Sequence, residues 1–273
     1  MQIDYISAIA GSGKTTHMVA KSVEDGRKGI NTIICQPTIS LCNATFGKIS
    51  ELGYKKVEVI NSENEPDAMK KIKNIFETTP RKFGKIIIIT HSRLLLLDYI
   101  QNKQNWNLWI DEELKVDHYW SHKLPVFHHI ITDNITRNVE NLSASLVEIT
   151  AANKTKLKSL AKNQHNDAVV DAFFKDIANH IISPKYRSFA LDTVVNQYLN
   201  NSNPTCELSI ISMLQPSFLD GFRNVIMMSA FFEKTLTYKY WNLIGTKFNK
   251  LLVNNLADIH GQNDLLKIAT TNS

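Results

Sequence analysis

Ala8-Ile9-Ala10-Gly11-Ser12-Gly13-Lys14-Thr15-Thr16 follows a short apolar run at residues 3–7 and leads into the helix-like His17-Met18-Val19-Ala20-Lys21. A glycine-rich turn between strand and helix, closed by Lys-Thr, is a phosphate-binding loop. Its glycines let consecutive backbone N–H groups turn inward around phosphates, its lysine reaches the β- and γ-phosphates, and the Thr15 hydroxyl ligates Mg²⁺. The helix that follows adds its positive N-terminal end. Ala10, Gly11, Ser12, Gly13, Lys14, Thr15 and Thr16 are therefore the expected nucleotide contacts. The usual pattern has glycine at the first position, where this chain has Ala8.

Outward from the loop, short apolar runs alternate with longer helical patterns as far as residue 111. Strands are expected at 3–7, 32–36, 56–60, 85–90 and 108–111, with crossover helices at 16–24, 39–52, 67–76 and 92–100. Such alternation predicts βαβ units and a parallel sheet covered on both faces, a three-layer αβα arrangement. Past Glu113 the rhythm breaks into scattered aromatics and histidines, then an apolar stretch at 146–150. Residues 154–201 read as almost wholly helical, so a largely helical insertion is expected over 114–205 of a single 1–273 domain. Two further strands are expected at 208–212 and 224–229, and a last apolar run at 250–253.

Composition limits the function classes. A chain of 273 residues, 43% hydrophobic, can bury a full core and is not disordered. Its net charge of +5 permits an acidic partner such as nucleic acid without requiring one. Cys35, Cys42 and Cys206 show neither metal-ligand spacing nor an even disulfide framework, which fits a reducing compartment. With no leader sequence and no apolar stretch of the roughly 18 residues that span a bilayer, a soluble cytoplasmic protein without membrane contact is expected. The richness in lysine, asparagine and isoleucine suits an AT-rich, viral genome.

The second chemical landmark is Trp106-Asn107-Leu108-Trp109-Ile110-Asp111-Glu112-Glu113, an apolar strand ending in consecutive carboxylates. A nucleotide hydrolase needs one acid to hold the Mg²⁺ shell and another to activate water. Asp111 fits the first role and Glu112 the second, with Lys14 completing the catalytic set. The strands between loop and acid pair point to the branch that places an additional strand between the two.

These motifs together resemble the first RecA-like domain of superfamily 2 helicases, the DEAD/DEAH-box-like group. The loop has that group's Ala-x-x-Gly-x-Gly-Lys-Thr form, and Asp111-Glu112-Glu113 matches its hydrolytic motif in the first two positions. Gln36-Pro37-Thr38 with Leu41 is similar to the Pro-Thr element, and Thr90-His91 to the threonine-bearing segment, that border the nucleic-acid track. Met228-Ser229-Ala230-Phe231 is similar to the Ser-Ala-Thr motif that links hydrolysis to strand movement, with Phe231 in place of the hydroxyl residue. The resemblance spans residues 1–113 and 206–235. It implies an ATP-dependent helicase or translocase motor using ATP and Mg²⁺, with single-stranded DNA or RNA contacting Pro37, Thr38, Thr90 and His91 and coupling through Ser229 and Ala230.

The resemblance also implies a second RecA-like domain that supplies arginines to the ATP cleft. About 40 residues follow Ala230, too few for that domain, so it is expected from a longer natural chain or a partner protein. Met1 just before the first strand reads as a native start. Arg187 and Arg223 read as surface residues rather than substitutes. Two further functions stay open: a regulatory module that binds nucleotide and hydrolyses it weakly, and a small-molecule phosphotransferase, which would need an arginine-rich lid that this lysine-rich chain lacks.

Other residues read mainly as structure. Trp106 and Trp109 belong to a buried strand. Tyr119, Trp120, His122 and Lys123 offer either a base-stacking surface or core packing of the insertion. His128-His129 has no third ligand at metal spacing, and Lys154, Lys156, Lys158 and Lys162 read as a solvated helix face that could add phosphate contacts.

Overall fold

Strands with isoleucine, leucine or tryptophan at consecutive positions have no face to turn to water, and the sheet they build is covered on both sides. The computed structural model describes residues 1–97, 100–124, 127–138, 145–163, 167–200, 206–253 and 256. They divide into two units, Met1–Leu114 with Leu219–Ser273, and Lys115–Phe218. The first unit begins β1 (Gln2–Ser7), α1 (Lys14–Arg27), β2 (Asn31–Gln36), α2 (Ile39–Glu51), β3 (Val57–Val59), α3 (Ala68–Thr78), β4 (Ile86–Thr90), α4 (His91–Leu96) and β5 (Trp106–Asp111). Every residue of β2, β4 and β5 is buried, as their unbroken apolar character requires. The helix expected over 92–100 is shorter, and residues 98 and 99 at its end lie outside the described residues.

The second unit comprises β6 (Asp117–His122), α5 (His129–Thr132), β7 (Ile135–Asn138), β8 (Leu146–Ala151), α6 (Lys154–Lys162), α7 (Lys175–Ile182), β9 (Tyr186–Leu191), α8 (Asp192–Asn200) and β10 (Leu208–Leu214). α6, α7 and α8 fall within the lysine- and asparagine-rich stretch expected to be helical, but β9 lies within that stretch too, and the unit holds a five-stranded antiparallel sheet in the order β6-β10-β9-β8-β7. The segment is thus mixed α and β, with limits of 115–218 rather than 114–205. β9 was hidden because Arg187 and Leu191 face solvent while Ser188 and Ala190 face inward, an alternation without an apolar run. Trp120, Ile149, Ala190 and Ile210 from the sheet pack with Leu157, Phe174, Ile177 and Val195 from the helical side. Residues 201–205 lie outside the described residues.

The chain rejoins the first unit as β11 (Asn224–Ser229), α9 (Leu236–Leu243) and β12 (Lys247–Lys250). The seven strands run in the order β12-β1-β11-β5-β2-β4-β3, and every pairing is parallel. β11 occupies the place of the additional strand expected between loop and acid pair. The apolar run at 250–253 mostly follows β12 rather than forming a strand, and Leu251 and Val253 pack on the core. Met18 and Val19 of α1 and Cys42 and Ile49 of α2 cover one sheet face with Ile34, Ile88 and Trp109. Phe76 of α3 covers the other, its ring 4.8 Å from that of Trp106. Side chains alternate along a strand, so Trp109 and Asp111 point to the α1 side, which aims Asp111 at the start of that helix. Among the described residues, no helix is long and apolar enough to cross a membrane.

Candidate functional site

A wholly parallel sheet gathers its strand carboxyl ends along one edge, where such sheets bind ligands. Here that edge collects the 8–13 loop after β1, Pro37-Thr38 after β2, Thr90-His91 at the end of β4, Glu112-Glu113 after β5 and Ala230-Phe231 after β11. The structure therefore brings every singled-out motif of this unit to one rim.

At its centre, the Thr15 hydroxyl donates to Asp111 Oδ2 at 3.1 Å, and Gln36 Nε2 donates to the same oxygen at 3.0 Å. Lys14 folds back over its own loop, donating to the Ala8 and Ile9 carbonyl oxygens, each at 2.7 Å. Burial lowers the Lys14 ammonium from its ordinary value, and the charges of Asp111 and Glu112 pull the other way. Both carboxylates thus lie in the field of the loop lysine. Glu113 does not share that arrangement: Thr237 of α9 donates to it at 3.4 Å, and to the Leu114 carbonyl at 2.9 Å.

The loop has the character of an anion cradle. Gly13 precedes α1 at φ 96° and offers no side-chain cap, so the first N–H groups of the helix face outward. Ser12 Oγ, inside the loop, and Gln36 Oε1, beside Asp111, are buried without a partner. Orphaned buried polar atoms on either side of a cation and a carboxylate fit a phosphate group and a hydrated Mg²⁺ ion. Thr15 and Asp111 supply the oxygen donors such an ion takes. On the same sheet face, a cavity of about 470 Å³ is lined by Asp4, His17, Lys21, Asp25, Asn107 and Trp109, and it includes none of the loop or acid residues.

Backbone strain marks the same rim. Four described non-glycine residues adopt left-handed φ: Asn102, Asn163, Glu112 at 66° and Phe231 at 50°. Asparagine tolerates that region, whereas glutamate and phenylalanine hold it at about 1–3 kcal/mol each. Glu112 immediately follows β5, and Phe231 lies two residues past the end of β11. Phe231 is exposed, with the Lys234 ammonium 5.0 Å from its ring centre.

The flanking motifs are tied into this centre. Thr38 caps α2, accepting from the Leu41 N–H at 3.2 Å, and Thr90 caps α4, accepting from the Arg93 N–H at 3.3 Å. His91 Nε2 lies 2.9 Å from the Asp111 carbonyl oxygen, which can only accept, so that nitrogen carries the proton. Burial pushes the imidazole below its ordinary value, against the hydrogen bond to and charge of Asp111. His91 therefore faces the acid strand, and Thr38 remains exposed. The Ala8 N–H reaches the Ser229 carbonyl at 3.4 Å, joining the loop to the Ser229-Ala230 turn.

Sequence reasoning passed over Glu233. Its carboxylate accepts from Ser7 Oγ at 2.5 Å, the Tyr5 hydroxyl at 3.3 Å and Lys250 Nζ at 2.8 Å, while the Phe232 N–H donates to Ser7 Oγ at 3.0 Å. The turn after β11 is thereby fastened to the residue before the loop. Burial alone would raise the Glu233 carboxyl, but hydrogen bonds from Lys250, Ser7 and its own N–H, with the Lys250 charge, hold it at about 2 against an ordinary 4.5. A depressed carboxyl stabilises the fold fully above its unfolded value and loses that contribution as pH falls through its folded value. The difference in unfolding midpoint between the unsubstituted chain and Glu233→Gln should be full above pH 4.5 and close toward about 2; a pH-independent difference contradicts this. No sequence motif marks Glu233. Gln36 was legible by the logic that singled out Asp111, a polar side chain closing a fully buried strand.

The remaining candidates have surroundings of their own. Arg187 is held by both carboxylate oxygens of Glu148 at 2.7 and 2.8 Å. Arg223 precedes β11 at the amino end of the sheet, opposite the rim. Trp106, Trp109 and Trp120 are buried, whereas Tyr119 is 60% exposed. The α6 lysines are exposed, as a solvated face requires.

Residues 5–148, just over half of the chain, match the family model described as DEAD/DEAH box helicase. The match includes the loop, the Pro37-Thr38 and Thr90-His91 segments and the acid pair; Ser229-Ala230 lies beyond it. No curated protein matches the chain.

Proposed function

The chain belongs to the DEAD/DEAH box helicase family, whose domains use ATP with Mg²⁺, bind nucleic acid and pair with a second RecA-like domain, and from that membership we propose that its first unit is an ATP-hydrolysing nucleic-acid motor domain. The observation that carries the reading is the Thr15–Asp111 hydrogen bond, which joins the loop and acid strand across β11, with Lys14 in the same field.

Lys14, Thr15 and the 10–16 loop hold the triphosphate in this reading, with Thr15 and Asp111 as the protein ligands of Mg²⁺. When bound there, the ion neutralises charge developing on the phosphate oxygens. Lys14 exchanges its two carbonyl partners for phosphate oxygens, a move that needs only side-chain rotation. Glu112, held at the rim by its left-handed backbone, accepts the proton of the attacking water. Gln36 fixes the Asp111 carboxylate, and His91 fixes the backbone behind it. Pro37, Thr38 and Thr90 form the rim along which a single strand of DNA or RNA runs. Ser229 and Ala230 couple it to the loop, with Glu233 as the anchor.

The Lys115–Phe218 unit is an insertion in this RecA-like domain, and a second lobe or partner protein supplies the arginine that stabilises the γ-phosphate. Such an arginine contributes on the order of 10³ to 10⁵ in rate to phosphate-loop hydrolases. These 273 residues alone should then turn over ATP slowly, bind single strands in a salt-sensitive way and unwind nothing. ATP turnover measured with no nucleic acid, single-stranded DNA, duplex DNA and RNA tests the reading. Stimulation by single strands is expected; nucleotide binding without stimulation favours the regulatory module, and phosphate transfer to a small acceptor overturns the motor.

A further inference from the structure

Helix α7 carries Asp176 and His180 one turn apart, on adjacent positions of one helix face. The buried pair Ile177 and Ala178 fixes that helix against the second unit's core. On β6, His118 lies two residues before the buried Trp120 and so projects from the same sheet face, the one the core covers. Two ordinary packing constraints thus bring together three side chains that are up to 62 residues apart.

His118 Nε2 lies 2.7 Å from Asp176 Oδ2, and His180 Nδ1, 3.5 Å from Asp176 Oδ1, donates to the Asp176 carbonyl oxygen at 2.9 Å, which leaves Nε2 as the lone-pair nitrogen of that ring. The two imidazoles stack with centres 4.0 Å apart and planes within 7°. One nitrogen from each ring and one carboxylate oxygen all fall within 4.8 Å of one another. We propose that His118, Asp176 and His180 form a binding site for a divalent transition-metal ion of the zinc type.

The donor set selects the ion. Imidazole nitrogen suits zinc and its neighbours, while Mg²⁺ and Ca²⁺ take oxygen. Ligands around a tetrahedral zinc at about 2.1 Å stand roughly 3.4 Å apart, so a cluster whose donor atoms lie within 4.8 Å of one another contracts and turns its rings toward the ion on binding. The face-to-face stack keeps at least one of the two rings in the neutral form that a metal requires, because two protonated imidazoles would repel. The ring of Tyr186 meets His180 edge-on at 4.7 Å and walls one side. The Asp176 side chain is 56% exposed and that of His118 31%, which gives the ion an entry path and leaves a coordination position open to water. The ion would clip β6 to α7 and stabilise the second unit by binding only its folded form.

The test is a titration of the full chain with zinc, in a large excess of Mg²⁺, against a competing chromophoric indicator. One equivalent should bind with micromolar or tighter affinity and raise the unfolding midpoint, and Co²⁺ should give the visible absorption of a low-coordinate site. His118→Gln and His180→Gln should each weaken binding by more than about tenfold and abolish the Co²⁺ spectrum. Should either variant fail to fold, the unsubstituted chain still decides the matter, because zinc must shift the ring resonances of two among its nine histidines. Absence of a bound equivalent, shifts at other histidines, or unchanged affinity in either folded variant overturns the site.

Discussion

Lys14→Ala is expected to weaken ATP binding by about two orders of magnitude or more and to leave no measurable turnover. A charge-assisted hydrogen bond to a phosphate contributes about 1.5–3 kcal/mol, and this lysine is placed to make such contacts to two phosphates. Its position in the fold sharpens the expectation. Lys14 spans the loop from its helical end back to the carbonyls of Ala8 and Ile9, so it sits over the cradle that the phosphates would fill. Loss of the ammonium therefore removes the cation while leaving the glycine-shaped backbone, and the fold should persist because Lys14 is only half-buried. Nucleotide affinity by calorimetry, with the unfolding midpoint as a control, checks the expectation. Undiminished affinity would remove the loop from the nucleotide site.

Glu112→Gln should keep Mg²⁺-dependent ATP binding and lose hydrolysis by about 10² to 10⁴-fold, the usual contribution of a positioned general base. The amide preserves shape but cannot take a proton from water. Glu113 provides the internal comparison: Thr237 approaches its carboxylate, and its charge is not among those acting on Lys14. Glu113→Gln should hydrolyse ATP within a few-fold of the unsubstituted chain. Single-turnover hydrolysis of both variants distinguishes the two, and loss of activity in Glu113→Gln alone would place the register one residue off.

How far the sequence carries the structure depends on how each residue is constrained. β2, β4 and β5 were legible because a strand buried on both faces must be apolar at every position, and a polar residue at its end, Gln36, Thr90 or Asp111, then stands out. The place of 224–229 in the sheet was not legible, since no local signal there says that it inserts between β1 and β5. In the second unit the antiparallel strands pack one face and leave the other to solvent. Tyr119 and Ile211 are therefore exposed beside the buried Trp120 and Ile210, and a mixed pattern of this kind does not separate from an amphipathic helix over six residues. Glu233 and the His118, Asp176 and His180 group were illegible for another reason. The partners of Glu233 lie 17 to 228 residues away and His118 lies 58 residues from Asp176, and only the folded sheets bring them together.

The central claim is that the loop after β1 and the acid strand β5 form one Mg·ATP site. The most direct measurement is the Mg²⁺ dependence of ATP affinity in the unsubstituted chain and in Asp111→Asn. Asp111 Oδ2 already accepts from Thr15 and Gln36, and an asparagine oxygen can keep either bond but not the negative charge that holds a divalent cation. Mg²⁺ should strengthen ATP binding to the unsubstituted chain by an order of magnitude or more and change it little in Asp111→Asn. Equal Mg²⁺ dependence in the two chains would contradict the account.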